Sequence, residues 1–265
     1  MNPIIQNVVL IGAGNLATHL GKALKKAKFS ILQVYSRTFD TASSLARELN
    51  CEATDDINLV KKGDAQVYIF AVKDSALDTL IPPVARLNPK ALFLHTAGSM
   101  PMQVFKSYVP NYGVLYPMQT FSKTREVDFS TIPCFIEGSS EENVTQIREI
   151  ATRITDLVYE LSSEKRQYLH LAAVFACNFT NHLYALSAEI LQKEEIPFSV
   201  MNSLIDETAQ KVHDISPLQA QTGPALRYDG NVIEAQLNLL KDYPLMQQIY
   251  ELLSKSIHDH ATKKS

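Results

Sequence analysis

Residues 4–17 decide the fold: Ile4-Ile5-Gln6-Asn7-Val8-Val9-Leu10-Ile11-Gly12-Ala13-Gly14-Asn15-Leu16-Ala17. An apolar, β-branched run stops at a Gly-Ala-Gly turn, and the chain continues in helical rhythm through Ala27. Gly12 to Ala17 matches the pattern G-x-G-x-x-G/A, directly after a strand and at the opening of a helix, the context that gives the pattern meaning. Gly12 would permit the tight turn, Gly14 would let a pyrophosphate approach the backbone, and Ala17 would let helix and strand pack closely. The free N–H groups at the helix start, at Asn15 and Leu16, and the positive end of the helix dipole suit phosphate. The competing reading is a turn that merely packs well.

Ile31 to Tyr35, Val67 to Val72 and Ala91 to His95 are further apolar runs, separated by helical segments. Continuous apolar runs suit strands covered on both faces, and their alternation with helices makes parallel βαβ units. Tyr112 to Tyr116 and Cys134 to Glu137 are weaker strand candidates. The expectation is an α/β fold, a doubly wound parallel Rossmann sheet over residues 1–160, followed by an all-helical domain over 161–265. Ser162 to Glu194 contains no Gly or Pro, and Leu169, Ala172, Ala176, Phe179, Leu183, Leu186 and Ile190 recur at alternating spacings of three and four. Such a seam marks a helix packed lengthwise against others, and it offers a homodimer surface. Further helices are expected over Phe198 to Asp214, Asn231 to Leu240 and Pro244 to His258.

Of 265 residues, 46% are hydrophobic and 20% charged, which excludes a disordered chain. No apolar run reaches the roughly 18 residues of a membrane span. Twenty-five Lys and Arg against 28 Asp and Glu leave no basic excess for nucleic acid. Cys51, Cys134 and Cys177 are far apart, which indicates neither a disulfide framework nor a metal site. With no basic leader in residues 1–6, the expected location is the cytoplasm.

An NAD site wants an acidic residue about 20 residues beyond the glycines, to accept from the ribose 2'-OH. The chain offers Ser36-Arg37-Thr38 instead, a guanidinium and two hydroxyls suited to a 2'-phosphate. NADP is therefore favoured, although Ser36 or Thr38 could simply cap the next helix. Ala71-Val72-Lys73 and His95-Thr96-Ala97-Gly98-Ser99 end their strands at the edge where ligands bind in such sheets. The first would line a ribose or start a helix with Asp74; the second would border the nicotinamide or form a plain turn.

These four segments, followed by a long helix, resemble bacterial oxidoreductases that join a Rossmann domain to a helical one. They are related to pyrroline-5-carboxylate reductase and to NADP:deazaflavin oxidoreductases. A nearer branch of NADP oxidoreductases has further motifs that stand here as Tyr116 to Phe121, Tyr168 to Phe179 and Thr222 to Asp229. The resemblance spans nearly the whole chain and implies the fold, the cofactor NADP and substrate contacts at Tyr116 and Gln119; it names no substrate. The branch usually has His at the position of Tyr116 and Gly at that of Tyr228. A phenol is a poor base near neutrality, and Tyr228 would narrow any pocket lined by its turn.

On a helical wheel His170, Asn178 and Asn181 lie across from the apolar seam. They could wall an interdomain cleft, His170 giving a proton to a carbonyl or imine and Asn178 orienting substrate or cofactor. A structural role for His170 is the alternative. Arg227, after Thr222-Gly223-Pro224, could bind an anionic substrate group, pair with Asp229 or cap a helix. The remaining histidines show no metal spacing. Two functions follow: an NADP-dependent oxidoreductase acting on a small carbonyl, imine or hydroxy compound, or a non-catalytic NADP sensor.

Overall fold

The structure is a computed structural model that describes residues 5–263. Ile4, where the opening apolar run begins, lies outside them, as do residues 1–3. The chain forms two compact units, one ending at Cys177 and the other starting at Asn178.

The first unit runs β1 (Asn7–Ile11), α1 (Asn15–Lys26), β2 (Ser30–Tyr35), α2 (Phe39–Leu49), β3 (Glu52–Thr54), β4 (Val67–Phe70), α3 (Leu77–Leu87), β5 (Leu92–His95), β6 (Tyr112–Pro117), β7 (Cys134–Gly138), α4 (Glu141–Thr152), β8 (Val158–Glu160) and α5 (Ser163–Ala173). The sheet order is β3-β2-β1-β4-β5-β6-β7-β8. Strand order reverses beside β1, which makes the gap above β1 and β4 the switch point where such sheets take ligands. Alternate residues of β1 point to opposite faces: Val8 and Leu10 join one buried cluster with Leu20, Leu45 and Ile147. Val9 and Ile11 join the other with Phe70, Ile81 and Phe105. A strand buried on both faces has no polar side to show, which is why its sequence reads as an unbroken apolar run.

The expected parallel sheet has one exception: β6 and β7 pair antiparallel. Between Pro117 and Cys134 there is only a short 3-10 turn at Phe129–Thr131, and an antiparallel neighbour needs no crossover helix. β3 and β8, three residues each, are too short to show a period.

α5 belongs with the sheet, whereas the sequence reading divides the chain at residue 160. Its Arg166 is fully buried among first-unit groups, which ties the helix there. The expected single helix from Ser162 to Glu194 is interrupted by a π-helical turn over Val174–Phe179. The second unit continues with α6 (Thr180–Lys193), α7 (Asn202–Asp214), α8 (Pro217–Ala220), α9 (Pro224–Arg227), α10 (Gly230–Leu239) and α11 (Pro244–Thr262). Within it the apolar seam is only partly covered by the helices of its own unit: Leu183 is 38% and Ile190 43% exposed. Both line an apolar cavity of about 390 Å³ with Leu186, Leu240, Met246 and Leu253. Among the described residues no helix is long and apolar enough to cross a membrane, and no group of three or more His, Cys, Asp or Glu could hold a metal ion.

Candidate dinucleotide and proton-transfer site

The chain leaves β1 through Gly12 at φ +121°, where a Cβ would stand 2.3 Å from the Ala71 carbonyl oxygen at the end of β4. Only glycine fits between these two strand ends. Gly14 is the N-cap of α1 and caps it with no side chain; a Cβ there would meet nothing within 4 Å. The first N–H groups of α1, at Asn15 and Leu16, have no partner within the helix. The Asn15 side chain instead donates from Nδ2 to the Phe121 carbonyl at 2.9 Å. One turn on, the His19 ring stacks on Phe121 and its Nε2 lies 2.9 Å from the Ser122 carbonyl. The segment after β6 is thus tied to the glycine turn, a contact without a sequence signal. Ala17 is fully buried.

At the end of β2, Ser36 is half-buried and its N–H donates to the Thr54 carbonyl. Arg37 is exposed and has no anionic partner among the described residues. Thr38 is the N-cap of α2, but its hydroxyl meets Thr41 Oγ1 at 2.8 Å and bonds no helix N–H. Asp40 lies inside α2. Lys73 precedes the short 3-10 turn Asp74–Ala76 without capping it by its side chain; Asp74 instead accepts from the Ser99 hydroxyl. Ala71, Val72 and Lys73 end β4 beside Thr96 and Gly98, which follow β5; Thr96 is buried, its N–H 3.2 Å from the Phe70 carbonyl.

Gly98 marks a second close approach. A Cβ there would lie 2.5 Å from His170 Nδ1. The same Nδ1 is 3.1 Å from the Tyr116 hydroxyl at the end of β6, with the two rings edge to face. Three residues far apart in sequence therefore meet at one end of the sheet. Burial pushes the Tyr116 phenol above its ordinary value, against the opposing pull of the Arg166 cation. A neutral hydroxyl can donate to a bare Nδ1 or accept from a protonated one, so it holds the ring in either state.

Arg166, Glu137 and Ser163 beneath this contact escaped the sequence reading. Glu137 Oε2 accepts from Arg166 Nη1 at 2.7 Å and from the Ser163 hydroxyl at 2.6 Å. The available signal was an Arg one helical turn before His170 on the same face. His95, also buried, takes the Ala97 N–H on Nδ1; burial first, then the Arg166 cation, depress its pKa to about 3.

Gln119 folds back to accept from the Thr120 N–H. Asn178 lies in the π-helical turn and Asn181 in α6, both exposed. Arg227 ends α9, exposed, and makes no ion pair with Asp229, which caps α10 instead. Asn178, Asn181 and Arg227 thus belong to the second unit. Thr222 and Pro224 line its apolar cavity, but Tyr228 does not, so the narrowing expected of it does not arise. It adopts the left-handed conformation, φ 53°, and packs on His258, which accounts for a glycine being usual there.

Residues 7–97 match the model of the NADP oxidoreductase, coenzyme F420-dependent family, and residues 132–257 that of a domain of unknown function, DUF2520. A crystal structure from Bacteroides fragilis, described as a "putative NADP oxidoreductase", is 54% identical, covers 97% of this chain and 100% of its own, and superposes with a TM-score of 0.93. The chain belongs to the NADP oxidoreductase family. A Thermotoga maritima protein at 24% identity (TM-score 0.75, covering 95% of this chain and 99% of that one) shares the fold. So does 1-pyrroline-5-carboxylate reductase of Streptococcus pyogenes at 14% (0.60, covering 96% and 98%). No curated protein matches the chain. This NADP oxidoreductase presents residues that fit its cofactor: the side-chain-free space at Gly14 before uncapped N–H groups, and an exposed guanidinium at Arg37 free of any carboxylate.

Proposed function

We propose that the protein passes hydride between NADP(H) and a small carbonyl, imine or hydroxy compound, with His170 moving the accompanying proton. The observation that carries this reading is the hydrogen bond between Tyr116 and His170 Nδ1, made with the ring against Gly98. NADPH, when bound, supplies the hydride. Gly12 and Gly14 with the N–H groups of Asn15 and Leu16 would hold the diphosphate, and Ser36, Arg37 and Thr38 the 2'-phosphate. Ala71, Val72 and Lys73 would line a ribose, and Thr96 and Gly98 would border the nicotinamide. With Nδ1 engaged by Tyr116, the proton available for transfer is the one on Nε2, which a substrate oxygen or nitrogen would take as it gains electron density. A buried phenolate is disfavoured, so Tyr116 orients the ring and does not lose its own proton. The position usually held by His is therefore filled here by a group that steers the imidazole. Gln119, Asn178, Asn181 and Arg227 remain proposed substrate or positioning contacts.

We assign the chain to the cytoplasm and propose a homodimer through the helical unit. The exposed seam residues and the open apolar cavity they line support the second of these.

The test uses NADPH, NADH and a panel of keto acids, cyclic imines and aldehydes. His170→Ala is expected to abolish turnover while NADPH binding is kept. Arg37→Ala is expected to weaken NADPH by about 1.5–3 kcal/mol more than NADH, the worth of a lost charged hydrogen bond. Tight NADPH binding without turnover on any member of the panel would instead favour the sensor reading.

A further inference from the structure

The face that α5 turns toward the sheet is polar, and each of its polar side chains is engaged. Ser163, Arg166, Gln167 and His170 form one stripe at helical spacing, and each meets the segment that follows β5. The Ser163 hydroxyl accepts from the Met102 N–H at 2.9 Å. Arg166 Nη2 donates to the Met100 carbonyl at 2.6 Å, and Gln167 Nε2 to the Ser99 carbonyl at 3.0 Å. The His170 ring lies where a side chain on Gly98 would have to be. One helix face thus fixes residues 98–102 almost position by position.

Arg166 is the centre of this contact. It is wholly buried, with Glu137 Oε2 at 2.7 Å as counter-ion and the Ser163 hydroxyl at 3.1 Å, while its Nε has no partner among the described residues. An ion pair taken out of water contributes little to net stability, since two apolar side chains of similar volume often do as well or better. What apolar side chains cannot do is hold a backbone carbonyl in register. We propose that Arg166, braced by Glu137, is a positioning residue that locks residues 98–102 onto α5 and thereby keeps the His170 ring against Gly98 and in reach of Tyr116. Its bearing on turnover rests on His170 moving a proton; its bearing on ring geometry does not.

The experiment compares the full-length chain with the double variant Arg166→Met/Glu137→Met and with Arg166→Lys. The double variant removes both charges together and leaves neither stranded. Arg166→Lys keeps the charge but, as a single ammonium, cannot serve Glu137, Ser163 and the Met100 carbonyl at once. Thermal melts establish that each variant is folded. The readouts are the His170 ring nitrogen shifts in NMR spectra and hydrogen exchange at the Met102 amide, the N–H that Ser163 holds. Expected are altered Nδ1 and Nε2 shifts, reporting loss of the Tyr116 hydrogen bond, and exchange faster by about tenfold or more, a local loosening of the segment. Both should be smaller in Arg166→Lys than in the double variant. Unchanged ring shifts and unchanged exchange in folded variants would overturn the proposal. Failure of His170→Ala to affect turnover bears only on the proton-transfer reading, so the two ideas fall separately.

Discussion

The two units of this chain solve the same problem differently. The first covers its own apolar surface: β1, β4, β5 and β6 are buried along their lengths, flanked by helices whose inner faces are equally buried. In the second, the buried residues are Ala225, Leu240, Met246 and Ser254, while Leu239, Leu245 and Leu252 are each more than two thirds exposed. Both are made of ordinary helix- and strand-forming sequence. The difference is how much apolar surface each unit covers by itself, and the helical unit leaves much of its own open.

The comparison can be broken most sharply at the glycine turn. Gly12→Ala should cost the first unit more than about 2 kcal/mol, from the strained φ and the collision with the Ala71 carbonyl. Gly14→Ala, two positions away, should leave stability within about 0.5 kcal/mol yet lower NADPH affinity by about tenfold or more, if, as proposed, its methyl enters the space taken by the diphosphate. Denaturant melts and calorimetry on the two variants separate fold from ligand; equal stabilities would show that the strand ends are not as tightly set as described.

The next largest effect concerns the second unit. Leu183→Glu puts a charge on the seam and into the cavity wall. Sedimentation should shift from dimer to monomer, and the melting temperature should lose its dependence on protein concentration. A wild-type chain that sediments as a monomer would remove the basis for the contrast.

A third effect belongs to the first unit alone. His95 is held neutral, with a pKa of about 3 against 6.5 when free. Between these values the unfolded chain binds the extra proton, so stability is fully present above about pH 6.5 and falls as pH drops toward 3, by up to about 1.4 kcal/mol per pH unit. His95→Asn, whose amide oxygen can take the Ala97 N–H, should flatten that slope in denaturation measured at pH 7 and pH 5.

The strands that frame the site were legible in sequence because burial on both faces leaves an unmixed apolar run, and the turn was legible because Gly12 sits where no other residue fits. The helical unit was legible as helices but not in how they pack, since an a/d seam announces that it will be covered and not by what. The π-helical turn at Val174–Phe179 left no mark on the pattern, as nothing in residue type distinguishes i→i+5 from i→i+4 pairing there. His170 was visible as an imidazole on a helix, and Tyr116 as a departure from a usual His; that they touch depended on bringing β6 and α5 together. Arg166 and Glu137 read as two more surface charges among many, because pairing across 29 positions has no local signature.

The smallest expected effect is at Tyr228. Replacement by Gly relieves the left-handed backbone and should stabilise the helical unit by no more than about 1 kcal/mol, offset in part by loss of the ring contact with His258. A melting temperature lowered instead would mean that this contact outweighs the backbone.

The buried guanidinium of Arg166 also constrains the history open to this sequence. Losing the Glu137 carboxylate alone leaves a wholly buried cation without its counter-ion, and losing the Arg166 charge alone leaves Glu137 without its partner. Charge at these two positions is therefore expected to be kept or lost together, and the segment they hold inherits that constraint.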